Sequence, residues 1–283
     1  MSPTQNHIED KKKIAPIEQK TLYVAFNGHQ VAVSSNVPEI IETVEHGFSE
    51  MLEPEPARIF GRLEVIRQGE KYNITGNNMD SEAYKSLDDI LKWFSQEVIH
   101  YMTLANPDLL WFHAGAAAYR DNAVIFPGVW GSGKSTLVTS LCEDGWAYLS
   151  DDIVPIEMNS GRVLPFHRTP TVRKNSGQEM PSHRLGELQK ITVNLNQESL
   201  CQKPARIVAI LFPYYAHGSS ARITPQSPAN AALELLACGM NYEKHGEVAV
   251  RYVCELMEQI PASRLYYGNG KRAAELIGNI YKK

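Results

Sequence analysis

One stretch constrains this chain more than any other: residues 128–136 read Gly-Val-Trp-Gly-Ser-Gly-Lys-Ser-Thr. Gly128, Gly133, Lys134 and Ser135 fall at the spacing of a phosphate-binding loop. Ala123-Val124-Ile125-Phe126-Pro127 before it reads as a short buried strand, and Leu137, Val138 and Leu141 after it share one helical face. Strand, glycine-rich loop and helix in that order fix a βα unit and place an anion site at its turn. Glycines at 128, 131 and 133 let the backbone curl so that successive N–H groups aim at one point. The helix N-terminus adds partial positive charge there. Lys134 brings a mobile cation to β- and γ-phosphate oxygens, and Ser135 a hydroxyl to Mg²⁺. Ser132 and Thr136 complete the expected nucleotide-binding set. Trp130 is left without a role.

The chain has 283 residues, enough for one large domain or two modest ones. A net charge of −4 gives no broad electrostatic case for nucleic acid. Cys142, Cys201, Cys238 and Cys254 form no CxxC pair or Cys/His cluster, which argues against a zinc site. Unpaired thiols without a secretory signal pattern lead us to expect a reducing cytoplasm. No apolar run approaches the roughly 20 residues that cross a bilayer, so no membrane partner is expected.

Residues 1–19 are polar and aperiodic and read as a disordered tail. Asn27-Gly28 between Leu22–Phe26 and His29–Val33 predicts a hairpin. Pro38 opens a helix with Ile40, Ile41, Val44 and Phe48 on one face, and a second hairpin is expected to turn at Gln68-Gly69. The stripe Leu87, Ile90, Leu91, Phe94, Val98, Tyr101, Met102 predicts a helix capped by Ser86 and ended by Asn106-Pro107. These elements make residues 20–105 a small α+β unit, which either binds a partner or makes a homo-oligomer contact. Strands at Trp111–Tyr119 and Ala123–Phe126 then open the unit 106–283. A strand at Trp146–Leu149 runs into Ser150-Asp151-Asp152. Residues 157–192 suggest loops with short strands. A strand at Arg206–Pro213, helices at 229–238 and 247–259, a strand at Arg264–Tyr267 and a helix near 271–281 complete the chain.

Asp151-Asp152 lies 17 residues after Lys134, at the end of a strand, where open α/β sheets bind ligands. A carboxylate there can hold Mg²⁺ or take the proton of an attacking hydroxyl. Two adjacent carboxylates can divide those tasks, with either one as base; alternation along an extended chain points them apart, which would leave only one facing the phosphates. His113, on a small-residue strand expected beside the loop, reads by itself as a buried, hydrogen-bonded core residue. His167, Arg168, Arg173 and Lys174 form a cationic set. Phosphoryl transfer needs such charge, with Arg168 and Arg173 as the substrate-side candidates, although a solvated basic loop has the same composition.

Taken in order, His113-Ala114-Gly115, GxxGSGKST at 128–136 and Leu149-Ser150-Asp151-Asp152 resemble the C-terminal kinase domain of HPr kinase/phosphorylase and its relatives. That family is similar in fold to phosphoenolpyruvate carboxykinase. The resemblance covers residues 111–156 and extends toward 281. Residues 20–105 look more like the N-terminal part of HPr-kinase-related serine kinases found near peptide-modification genes. The resemblance implies an α/β fold: a P-loop kinase domain of the HPr kinase/phosphoenolpyruvate carboxykinase type, with the small α+β unit in front. It implies Lys134 and Ser135 on the phosphates of ATP or another nucleoside triphosphate and on Mg²⁺, Asp151 and Asp152 as base and metal contact (Ser135 and Asp152 on the metal), and His113 near the transferred phosphate. The acceptor it implies is a serine hydroxyl of a peptide or small protein. Two departures weaken HPr itself as substrate, and the reverse phosphorolysis reaction with it. The family's glycine-rich downstream segment is replaced by His183-Arg184-Leu185-Gly186-Glu187-Leu188-Gln189, and Ile153 follows the Asp pair. A kinase acting on free serine or a sugar, and a nucleotide-binding module without catalysis, remain as alternatives.

Overall fold

A computed structural model describes residues 18–77, 79–84, 86–173 and 190–282, with the backbone alone at 79–84, 173 and 190. The expected tail falls almost wholly outside these residues, as do Lys174 and the segment His183–Gln189.

Asn27 and Gly28 take φ of 48° and 76°, the double positive turn that an Asn-Gly pair favours. They fold β1 (Lys20–Phe26) onto β2 (His29–Ser35) with Phe26 opposite His29. Proline in the first turn opens α1 (Pro38–Gly47), which buries Ile40, Ile41 and Val44. β3 (Leu52–Glu53) extends the sheet beside β1. β4 (Ile59–Gln68) lies parallel to β2 and turns through Gly69 into β5 (Lys71–Gly76), and β6 (Met79–Tyr84) pairs with β5. The strand order is β3-β1-β2-β4-β5-β6. The Ser86 hydroxyl accepts the Asp89 N–H at 3.4 Å and caps α2 (Leu87–Ala105), whose stripe packs on this sheet.

The second sheet starts with the antiparallel pair β7 (Leu109–Tyr119) and β8 (Asn122–Pro127). The glycine loop and α3 (Lys134–Glu143) follow. β9 (Ala147–Ser150) and β10 (Ile153–Glu157) both run antiparallel to β7, with Ser150 opposite Ala116 and Ile153 opposite His113. Ala114 N–H donates to the Asp152 carbonyl at 3.1 Å between those points. The Asp pair thus stands at the end of β9, as expected, and bends the chain into β10. β10 is not evident from the sequence because Pro155 argues against a central strand, yet the residue lies opposite Trp111 in the ladder.

β11 (Arg162–Val163) bridges β10 and β14, and β12 (Thr171–Arg173) pairs with β13 (Lys190–Thr192). β14 (Ala205–Tyr215) lies parallel to β8; β15 (Arg222–Pro225), α4 (Pro228–Leu236), α5 (Tyr242–His245) and α6 (Glu247–Gln259) follow. β16 (Ala262–Tyr267) lies parallel to β14 and leads into α7 (Gly270–Tyr281). The chain is thus mixed α/β. α4 and α6 cover one face of the second sheet over Phe112, Ala114, Ile125 and Ile210. α3 and α7 cover the other over Val124, Phe126, Leu211 and Leu265.

Direction reverses between β8 and β14. From β8 the chain returns through α3 to β9, beside β7, whereas from β14 it returns through α4–α6 to β16 on the opposite side. This is a topological switch point, where open α/β sheets form a crevice at the carboxyl ends of their strands.

The two sheets share one apolar cluster. It joins Val24, Phe26, Ile40, Phe48 and Met102 of the first unit to Leu109, Trp111, Ile153, Leu164 and Phe166 of the second. Phe26, Trp111 and Phe166 meet edge-on with centroids 5.0–5.4 Å apart. The residue 105/106 division thus separates two sheets without separating two cores. No helix among the described residues is long and apolar enough to cross a membrane.

Candidate functional site

Pro127 ends β8, and the next six residues curl before α3 begins. Gly133 is the N-cap of α3 at φ 91°, in the left-handed region, and Gly131 has φ 87°. A side chain at Gly133 would also strike the Tyr267 hydroxyl. The Ser132 hydroxyl is buried inside the loop without a hydrogen-bond partner.

Lys134 is 6% exposed, and its ammonium turns back into the loop. It donates to the Gly128 carbonyl at 2.8 Å and the Val129 carbonyl at 3.0 Å, and lies 3.2 Å from His113 Nε2. His113 Nδ1 in turn lies 3.2 Å from Asp152 Oδ1. Burial first, and the Lys134 charge second, lower the His113 pKa below its usual 6.5. A neutral ring satisfies both contacts: Nδ1–H donates to Asp152 and Nε2 accepts from Lys134. His113 is therefore neither an isolated core histidine nor exposed; it bridges the loop lysine to the Asp pair.

The two aspartates diverge as alternation predicts. Asp151 is 4% exposed; it accepts hydrogen bonds from the Ser135 hydroxyl and from the Tyr148 hydroxyl, the latter at 2.9 Å. Burial pushes its carboxyl up to about 6 despite these bonds and the nearby Arg168. The Asp152 side chain is 37% exposed and pairs with Arg168 Nη1 at 3.0 Å. Ser135 thus meets Asp151, whereas Asp152 meets His113 and Arg168.

Arg168 is positioned from both units. Its guanidinium lies 5.4 Å from the centroid of the Phe48 ring, and its carbonyl accepts the Tyr148 hydroxyl at 2.7 Å. The next residue, Thr169, donates its N–H to the Gly47 carbonyl at 3.1 Å. Arg168 Nε is buried without a partner. His167 stays out of the cluster: its ring bonds the Cys201 carbonyl at 3.0 Å, and burial lowers its pKa. Arg173 closes β12, and its side chain lies outside the described residues. A cleft of about 200 Å³ adjoins Arg168, lined in part by Glu50, Tyr148, Thr169 and Leu195.

Tyr148 is the site residue that the sequence reading missed. It stands three residues before Asp151 on β9, and a strand tyrosine there is ordinarily core. A larger cleft, about 480 Å³, opens between Asn27, Arg58, Phe60, Leu104 and Asp108. It contains neither the residues of the 128–136 loop nor Asp151 or Asp152.

Gly115 fixes the distance between β7 and α3. A Cβ there would sit 2.8 Å from Val138 Cγ2 and 3.5 Å from Lys134 Cβ. Gly115→Ala is expected to cost about 1–3 kcal/mol through overpacking and to push α3, with Lys134 at its start, away from β7. Denaturant unfolding checks the first effect. Restored stability in Gly115→Ala/Val138→Ala checks its cause.

Oxygen donors from Ser135 and Asp151 suit Mg²⁺, which takes one or two protein ligands and completes its shell with phosphate and water. The described residues contain no cluster of three His, Cys, Asp or Glu that would cage a metal by themselves. The orphaned Ser132 hydroxyl and Arg168 Nε suit an anion. No family model matches the chain, and a search of curated proteins finds no match.

Proposed function

We propose that the chain is an ATP- and Mg²⁺-dependent kinase with a P-loop fold of the HPr kinase type, transferring a γ-phosphate to a serine hydroxyl of a peptide or small protein. The observation that carries this reading is the convergence at one end of the second sheet. A glycine loop with its lysine, a hydroxyl–carboxylate pair (Ser135 and Asp151) and a triad of Asp152, His113 and Arg168 meet there.

In this reading residues 128–136 hold the phosphates. On binding, the Lys134 ammonium exchanges its carbonyl partners for phosphate oxygens. Mg²⁺, when bound, neutralises phosphate charge, with Ser135 and Asp151 as its protein contacts; the metal role expected of Asp152 passes to Asp151. Asp152 is the carboxylate that an incoming hydroxyl can reach. It takes the hydroxyl proton as the acceptor oxygen bonds to the γ-phosphorus and the bond to the bridging oxygen breaks, releasing the nucleoside diphosphate. Arg168 offers charge to the transferred group, and His113 holds Lys134 and Asp152 in register. The cleft beside Arg168 is smaller than the about 300–1,000 Å³ that encloses a whole small ligand, which favours an acceptor lying mostly outside it.

Asp152→Asn tests the base. Nucleotide binding should persist while transfer from γ-labelled ATP to serine-containing peptides falls by about 10²–10⁴. A fully active variant removes Asp152 from that role. Label appearing on free serine alone would redirect the assignment to a small-molecule kinase.

A further inference from the structure

We propose that the nucleoside of the donor seats on Tyr215, in the crevice between β8 and β14. There the ring selects nucleotide over inorganic polyphosphate while reading little of the base's identity. The inference rests on the phosphate-loop reading above and adds where the rest of the donor goes.

The topology sets the direction. The loop leaves β8 on one side of the switch point, and Tyr215 ends β14 on the other. The groups suited to the terminal phosphate, namely Asp151, Asp152, His113 and Arg168, lie on the β7, β9 and β10 side of the loop. A nucleotide whose terminal phosphate points that way must extend its nucleoside toward β14 and β16.

What lies there is an exposed aromatic ring held from behind. Tyr215 is 41% exposed. Its Cβ lies 3.6 Å from where a Cβ of Gly133 would stand, so it borders the last turn of the loop. Tyr267, which is buried, meets it edge-on with centroids 5.6 Å apart and bonds the Ser132 carbonyl through its hydroxyl at 3.4 Å. The ring and the loop are thereby fixed to one another. Gly133 has no room for a side chain here, because the Tyr267 hydroxyl and Tyr215 Cβ pack directly against the loop.

The surrounding backbone is closed on itself. Ala216 N–H donates to the Tyr267 carbonyl, Ser219 N–H to Ala216, and Gly268 N–H to Ser219, at 2.9–3.1 Å. A Cβ at Gly268 would come within 2.6 Å of the Ala216 carbonyl oxygen. These donors are already bonded, so stacking dominates over reading of base edges. Stacking on an aromatic ring tolerates any base.

Calorimetric titration of the full chain with Mg-ATP, Mg-GTP and Mg-tripolyphosphate tests the seat. In the unmodified protein ATP should bind more tightly than tripolyphosphate, and ATP and GTP within about tenfold of each other. Tyr215→Ala should lose roughly five- to hundredfold in ATP affinity and keep its tripolyphosphate affinity; Tyr215→Phe should retain both. Tripolyphosphate binding as tightly as ATP, an equal loss for both probes, or a selective loss in Trp130→Ala with none in Tyr215→Ala would overturn the seat. Failure of the unmodified protein to bind any of the three would instead sink the phosphate-loop reading, and the seat with it.

Discussion

Lys134→Ala is expected to lower phosphate transfer at least about a thousandfold, the scale for removing a pre-aimed donor from a phosphoryl-transfer site. The lysine ammonium is engaged before any ligand arrives, with two loop carbonyls and His113 among its partners. Its removal takes a donor from each of those carbonyls, leaving the Val129 carbonyl only the Ser132 N–H, and leaves His113 without its donor. Loss of transfer should therefore be accompanied by weaker nucleotide binding. Transfer from γ-labelled ATP to a panel of serine peptides measures the first, and calorimetry the second. A Lys134→Ala protein that still turns over at the native rate would remove the loop from the chemistry and end the kinase reading.

Asp151→Asn should do two opposite things: abolish Mg²⁺-dependent transfer and make the protein more stable above neutral pH. The carboxyl is buried, and its folded-state value of about 6 lies above the ordinary 3.8. The folded chain therefore holds this proton more tightly than the unfolded chain does. The stabilisation it brings is fully present below pH 3.8 and is lost as pH rises through 6. The difference amounts to about 3 kcal/mol. The asparagine isostere carries no charge to desolvate. It can still accept from Tyr148 while its amide donates to the Ser135 oxygen. Thermal melts should show the variant on the order of 5 °C above the native protein at pH 8, with the gap closing by pH 4. A variant less stable at pH 8 would mean that the Ser135 and Tyr148 bonds outweigh the cost of the buried charge.

What the sequence displayed is local, and what it hid is long-range. Asn27-Gly28, the capping Ser86 and the loop at 128–136 each act through neighbours a few residues away, so type and spacing reveal them. The divergence of Asp151 and Asp152 follows from strand alternation alone. Arg168 was visible as a cation, but its pairing with Asp152 depends on the chain folding back across β9 and onto Phe48. Tyr148 looks like any strand tyrosine until Asp151 and the Arg168 carbonyl are both brought to its hydroxyl. Pro155 concealed β10, and with it the second strand that leaves the Asp pair. The same distance effect hides Tyr215, 82 residues after Gly133 in the chain and adjacent to it in the fold.

The cluster of Phe26, Trp111 and Phe166 has a practical consequence for anyone dissecting this protein. A fragment beginning at residue 106 would lay bare Leu109, Trp111, Ile153, Leu164 and Phe166 along one face and leave Arg168 without Phe48 beneath it. Such a fragment should be sticky and, on the kinase reading, poorly active even with the whole 128–136 loop present. Replacing the front unit with a different one would meet the same obstacle. The graft has to carry its matching aromatic partners on β7 and at residue 166, because the two parts were fitted to each other as a single interior.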